Sequence, residues 1–164
     1  MRERFLHHLT HGRAQLRRAF PRAALAAIEA EVRAQEARHR GELRVALEGS
    51  LPLRAVLRGT APRERALELF GRLGVGGTRE ANGVLVYLLL AEHVVEIVAD
   101  RDVARRVPQA EWQRICAQME ERFGRGEFAD GVIAGLRAIG AHLAEHYPGA
   151  RDNPNELPDK PVLL

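Results

Sequence analysis

Residues Val84-Leu85-Val86-Tyr87-Leu88-Leu89-Leu90 form an apolar run without alternation, and only Ala91-Glu92-His93 separate it from a second run, Val94-Val95-Glu96-Ile97-Val98-Ala99. A strand that is apolar on both faces must be covered on both faces. A link this short between two strands permits only an antiparallel hairpin. The chain therefore has to build a layer on each side of a central hairpin.

The neighbouring segments supply the layers. Leu43, Val45 and Leu47 alternate with Arg44 and Ala46, so Glu42 to Glu48 reads as a first strand. Thr60 is placed to cap the next helix and Pro62 suits its first turn. Ala66, Leu69, Phe70 and Leu73 give that helix a buried stripe. The order strand, helix, strand predicts a right-handed parallel crossover, so the sheet is mixed, with helices on both faces. Gly74, Gly76 and Gly77 follow a helix and precede a strand; this is the reverse of a phosphate loop and reads as a linker. Residues 49–60 read as a loop with a short edge strand at Arg54 to Arg58.

Four more helices follow from the 3.6 period. Residues 2–19 place Phe5, Leu6, Leu9 and Leu16 on one face, and Phe20-Pro21 ends the helix. The next runs from Pro21 to about Arg40, with Leu25, Ile28 and Val32 on its stripe, and stops at Gly41. Pro108 opens a helix with Trp112, Ile115, Cys116, Met119 and Phe123 inward, and Gly124 closes it. The last covers about Glu127 to Tyr147, where Gly131 and Gly135 permit close approach of a neighbour. The tail after Pro148 carries Pro154, Pro158 and Pro161 and reads as extended. Three parts result: an amphipathic helix over 1–20, an α/β domain over 21–147 and a Pro-rich tail over 148–164.

Composition narrows the function. All but one of the 25 basic residues are arginine, and residues 1–22 hold six of them against one acid. With a net charge of +3 for the chain, the rest is slightly acidic, so no general nucleic-acid surface is expected. Cys116 is the single cysteine, excludes an internal disulfide, and reads as a small buried hydrophobe in a reducing, cytoplasmic setting. No apolar run is long enough to cross a bilayer, and the first twenty residues lack the uninterrupted core of a secretory signal.

Candidate chemistry gathers where the topology folds back. Glu36 and His39 extend the apolar stripe of the second helix, in positions where core residues are expected. Glu42 opens strand one, Asn82 precedes the parallel strand two, and Asp100-Arg101-Asp102 end the returning strand three. Glu36, His39, Glu42, Asn82, Asp100, Arg101 and Asp102 are expected at one rim of the sheet. Glu36, His39, Glu42, Asp100 and Asp102 are the expected ligands of a divalent cation (Ca, Mg, Mn or Zn). Asp100 and Arg101 are the expected catalytic residues, with the guanidinium holding a phosphate monoester. Glu36 and His39 equally suit structural pairing with Arg101 or Arg44. Ser50, the only serine, lies at the other end of strand one, so water is the expected attacker. Glu48, Ser50, Glu92 and His93, at the opposite strand ends, form a weaker second candidate. His7 and His11 share a helix face and could chelate, or sit on a basic helix against an anionic membrane. Glu96 is expected to face solvent or Arg44. No organic cofactor is expected.

The Leu69-Phe70 helix, Asn82-Gly83-Val84-Leu85, the hairpin, and Phe123 to Gly131 with Gly126 and Phe128 resemble, in this order, the TPM domain, a family founded on a thylakoid-lumen acid phosphatase. The set Glu36, His39, Gly41, Glu42 and the tail Asn155-Glu156-Leu157-Pro158-Asp159 resemble a cytosolic bacterial branch. The resemblance spans about residues 22–147. It implies a Rossmann-like α/β/α sandwich, here extended by the N-terminal helix and the tail, and a divalent-metal-dependent phosphoric monoester hydrolase, an acid phosphatase. Metal-binding members usually bring an aspartate before the first domain helix and another after the strand-three loop; here those segments, His11 to Phe20 and Val107-Pro108-Gln109, have none. The other expectation is a non-catalytic adaptor that pairs with itself as a homodimer, or with a membrane protein, through the N-terminal helix or the apolar tail end Val162-Leu163-Leu164.

Overall fold

Strand β1 (Glu42–Glu48) lies inside the sheet and is buried along its whole length. It pairs in parallel with β2 (Gly83–Leu89), which pairs antiparallel with β3 (Val94–Ala99). The computed structural model describes residues 12–149 and 155–164. Among them β4 (Val162–Leu163) adds to the free side of β1, giving the order β3-β2-β1-β4. The fold is a mixed α/β sandwich, as the sequence indicated. The link between β2 and β3 is a single 3-10 turn, Leu90–Glu92, closed by His93 at φ 51°.

Seven helices flank the sheet among the described residues: α1 (Arg13–Ala19), α2 (Arg22–Glu36), α3 (Leu53–Leu57), α4 (Pro62–Arg72), α5 (Arg101–Arg106), α6 (Gln109–Gly124) and α7 (Phe128–His146). One sheet face presents Leu43, Val45, Leu47, Val84, Val86 and Leu88 to Ile28 and Val32 of α2, Trp112 and Ile115 of α6, and Val132 and Leu136 of α7. The other presents Ala46, Leu85, Tyr87, Leu89 and Val98 to Ala66 and Leu69 of α4, to Val75, and to Leu157 of the tail. Alternation along each strand divides the side chains between the two layers. Gly135 lets α7 approach α6: a Cβ there would lie 2.3 Å from Met119 Sδ.

Several boundaries differ from the sequence reading. Residues 54–58 are not an edge strand. Pro52 starts a helical turn, accepting from Ala55 N at 2.8 Å and Val56 N at 3.1 Å, and Gly59 at φ 73° ends it. Helix α2 stops at Glu36 instead of Arg40, because the chain is drawn to the end of α7: Arg40 N donates to Tyr147 O at 3.0 Å and His39 bridges Pro148. A helix not expected from the sequence, α5, follows β3 directly, capped by Asp100. Glu96 pairs with Arg63 at 3.3 Å instead of with Arg44.

The tail packs on its own domain. Leu164 N donates to Leu47 O at 3.0 Å, and Leu157 fills the second layer. Arg44 points into this layer and donates through Nη1 to the carbonyls of Pro158 and Lys160. Of the helix expected over 2–19, residues 13–19 form α1 and residues 2–11 lie outside the described residues.

Candidate functional site

The strand register brings the expected residues to one rim. Glu42 is opposite Gly83, Val84 is opposite Ala99, and Asp100 N donates to Gly83 O at 2.8 Å. Glu42, Gly83 and Asp100 thus stand side by side at the same end of three strands, as the hairpin requires. Adjacent strands lie about 4.8 Å apart, so Glu42 and Asp100 are separated by the width of β2.

On the β3 side, Asp100 caps α5: its Oδ1 accepts from Arg101 N at 2.6 Å. Its Oδ2 is buried and receives no hydrogen bond, and neither does the buried Oδ1 of Asn82. Asn82 is held by its other atoms, with Nδ2 donating to Arg40 O at 2.7 Å and N to Thr78 Oγ1 at 3.1 Å. Two acceptor oxygens at this rim are therefore without a protein donor, which is costly unless water or a cation meets them. Arg101 stands outside them, 83% exposed, with Nε 3.9 Å from Asp100 Oδ1. Asp102 faces elsewhere: it accepts from Arg105 at 2.8 Å, Arg106 at 2.8 Å and Tyr147 Oη at 2.7 Å. Those bonds, from Arg105 first, then Tyr147 and Arg106, hold its carboxyl well below the usual range.

On the β1 side, Glu36, His39 and Glu42 line a cavity of about 250 Å³ with Arg33, Asn155 and Asp159. Glu36 Oε1 accepts from Leu43 N at 2.8 Å. Burial raises its pKa to about 8, against that hydrogen bond and with help from the Glu42 and Asp159 carboxylates. His39 is neutral: burial lowers its pKa to about 4, while Nδ1 lies 3.1 Å from Gly41 O and Nε2 is buried without a partner. Glu42 Oε2 accepts from Glu156 N at 3.2 Å and Leu157 N at 3.1 Å, and burial raises its pKa. Asp159 accepts from Arg33 Nε at 2.9 Å and Asn155 Nδ2 at 2.6 Å. The tail thus contributes two polar residues to this cavity, Asn155 and Asp159, that sequence reasoning did not place there. The segment stood out only as a mark of resemblance, and no spacing rule ties residue 159 to residue 36.

At the opposite strand ends, Glu48 and Ser50 line a larger cavity of about 560 Å³. Glu48 is already satisfied by Arg65 Nε at 3.0 Å, Arg65 Nη2 at 2.8 Å and Tyr87 Oη at 2.7 Å. His93 lies edge-on to Phe128, with ring centroids 5.8 Å apart. His7, His8 and His11 lie outside the described residues.

Comparison with known proteins places this geometry in a family. The model of the TPM domain matches residues 16–142. The chain belongs to the TPM domain family. Among solved structures, the BA42 protein of the psychrophilic bacterium Bizionia argentinensis is similar at 26% identity and a TM-score of 0.75, over 87% of this chain and 93% of that one. The N-terminal domain of a protein from P. gingivalis is similar at 25% identity and a TM-score of 0.61, over 79% of this chain and 81% of that one. No curated protein matches the chain.

In this TPM domain the five residues expected to ligate one cation are divided between the two sides of the rim. Among the described residues no group of three or more His, Cys, Asp or Glu side chains is placed to hold a metal ion. Asp100 Oδ2 and Asn82 Oδ1, the two rim oxygens without a donor, are of the chemical type that a hard cation takes. Two protein oxygens suit an ion that keeps several waters and binds substrate phosphate. Also among the described residues, no helix of the TPM domain is long and apolar enough to cross a membrane.

Proposed function

We propose that this TPM domain is a divalent-cation-dependent phosphoric monoester hydrolase whose centre lies at Asn82, Asp100 and Arg101. The observation that carries the proposal is the pair of buried acceptor oxygens, Asp100 Oδ2 and Asn82 Oδ1, without a donor. They would hold a cation of the magnesium kind, which when bound polarises the phosphoryl oxygens and offsets charge as the ester bond breaks. Arg101, anchored at its backbone by the Asp100 cap and exposed at its side chain, whose one ion pair is the long 3.9 Å approach to Asp100 Oδ1, holds the phosphate oxygens with its guanidinium fork. Asn82 is positioned by Thr78 and Arg40, so its oxygen keeps one direction. Asp102 serves α5 and α7 rather than the substrate, since Arg105, Arg106 and Tyr147 already occupy its oxygens.

The test is calorimetric titration with Mg²⁺, Ca²⁺ and Mn²⁺ beside turnover of p-nitrophenyl phosphate with and without chelator. Asp100→Asn keeps the helix cap and removes the charge; it should lose cation binding and turnover together. Arg101→Ala should raise KM with cation affinity unchanged. Turnover that persists in chelator, or in Asp100→Asn, rejects this centre.

The adaptor reading draws on a different observation, the leucines exposed on α3.

A further inference from the structure

We propose that the face formed by α1 and α3 docks on an anionic lipid surface. Among the described residues, arginines elsewhere are mostly matched by acids: Arg40 with Glu80, Arg72 with Glu68, Arg105 with Asp102, Arg125 with Glu121 and Arg137 with Glu31. Arg13, which lines the cavity between the two helices, Arg17 one turn along from it, and Arg54 and Arg58 at the two ends of α3 are exposed, and none has an ion-pair partner among the described residues. The two helices meet at the cavity of about 560 Å³, which Gly12 and Arg13 line together with Leu53, Val56 and Leu164.

The same face carries apolar groups that no described residue covers. Helix α3 has no buried residue, and Leu53 and Leu57, one turn apart, are 56% and 71% exposed. Two aliphatic knobs set between unpaired guanidinium groups need a partner that is negative at its surface and apolar just beneath it. A bilayer containing anionic lipid has that profile: headgroup phosphates meet the arginines, and the leucines enter the acyl boundary. A nucleic acid would satisfy the charges and leave both leucines in water, and neither α1 nor α3 carries an aromatic ring on which a base could stack. The cavity lies at the Glu48 end of β1, so docking there leaves the Asp100 rim at the other end of the sheet open.

The experiment is vesicle flotation of the full chain with phosphatidylcholine alone and with phosphatidylglycerol added. Wild type should float only with the anionic vesicles, and less as salt rises. Arg54→Gln with Arg58→Gln should weaken binding about 30-fold, from roughly fivefold per arginine at a charged membrane surface. Leu53→Ser with Leu57→Ser should also weaken it; both pairs sit on exposed positions, and circular dichroism checks that they fold. Absence of wild-type binding to anionic vesicles at low salt overturns the proposal. So does equal binding by the leucine pair, or equal retention of wild type and leucine pair on single-stranded RNA at the affinity seen for vesicles, since the face would then be reading charge alone.

Discussion

Glu36 should make this domain lose stability as pH rises through the neutral range. The buried carboxyl holds its proton up to about pH 8 when folded, against 4.5 for the ordinary group. Below both values the group is protonated in either state and contributes no pH dependence. Between them the unfolded chain releases the proton while the folded chain keeps it, and stability falls with each step in pH; above about 8 the loss is complete. The full shift corresponds to about 5 kcal/mol, and relaxation around a partly accessible cavity reduces this to roughly 2–5 kcal/mol. Glu36→Gln copies the protonated form: its oxygen still accepts from Leu43 N, and its amide can donate to Asp159. The variant should match wild type near about pH 5 and exceed it near about pH 9 by roughly 5–15 °C in Tm for a domain of this size. Thermal melts of both proteins across that range provide the measurement. A Tm difference that stays constant from acid to base would show that Glu36 ionises normally, and the desolvated carboxylate cavity would have to be abandoned.

Four other outcomes follow from the surroundings of single residues. Glu48→Ala leaves the buried Arg65 only the half-exposed Glu68 and takes the acceptor from Tyr87 Oη, and should cost about 2–4 kcal/mol in urea denaturation; a loss under about 1 kcal/mol would mean that water already reaches the pair. Gly83→Ala would place a Cβ 2.2 Å from Val75 O, a backbone atom that cannot turn aside, and should yield little folded protein. Gly71→Ala, with open space around the new methyl inside α4, should instead raise stability by about 0.5–1 kcal/mol. Burial pushes the Cys116 thiol up to about 12, so a thiol reagent at mildly basic pH should react slowly with native protein and promptly after urea is added; equal rates would place Cys116 at the surface.

Much of the fold was legible because its signals are local and repeated. The unbroken apolar run of β2, the short link to β3 and the alternation in β1 allow one arrangement of three strands, and that arrangement alone brings Glu42 and Asp100 to the same rim. The α3 segment misled because Arg54, Val56 and Arg58 alternate like a strand, while the Pro52 start and Gly59 stop of a single helical turn are equally local and weaker signals. Asp100-Arg101-Asp102 read as one polar group. Their separation into a cap, an exposed arginine and an acid locked by Arg105, Arg106 and Tyr147 depends on α5, whose six residues leave too short a periodic pattern to detect.

Sequence by itself determined the three long strands and the four long helices, the faces they bury, and that Glu36 and His39 stand where apolar residues belong. These are properties of periodicity, turn chemistry and side-chain volume, all expressed within a dozen residues. Tertiary structure decided where the tail goes, and with it the composition of the Glu36 cavity: Asp159 reaches Arg33, and the backbone of Glu156 and Leu157 reaches Glu42, across more than a hundred residues of chain. Such contacts arise because β1 still has an open edge after pairing with β2, and the carboxyl end of the chain is the segment that completes it.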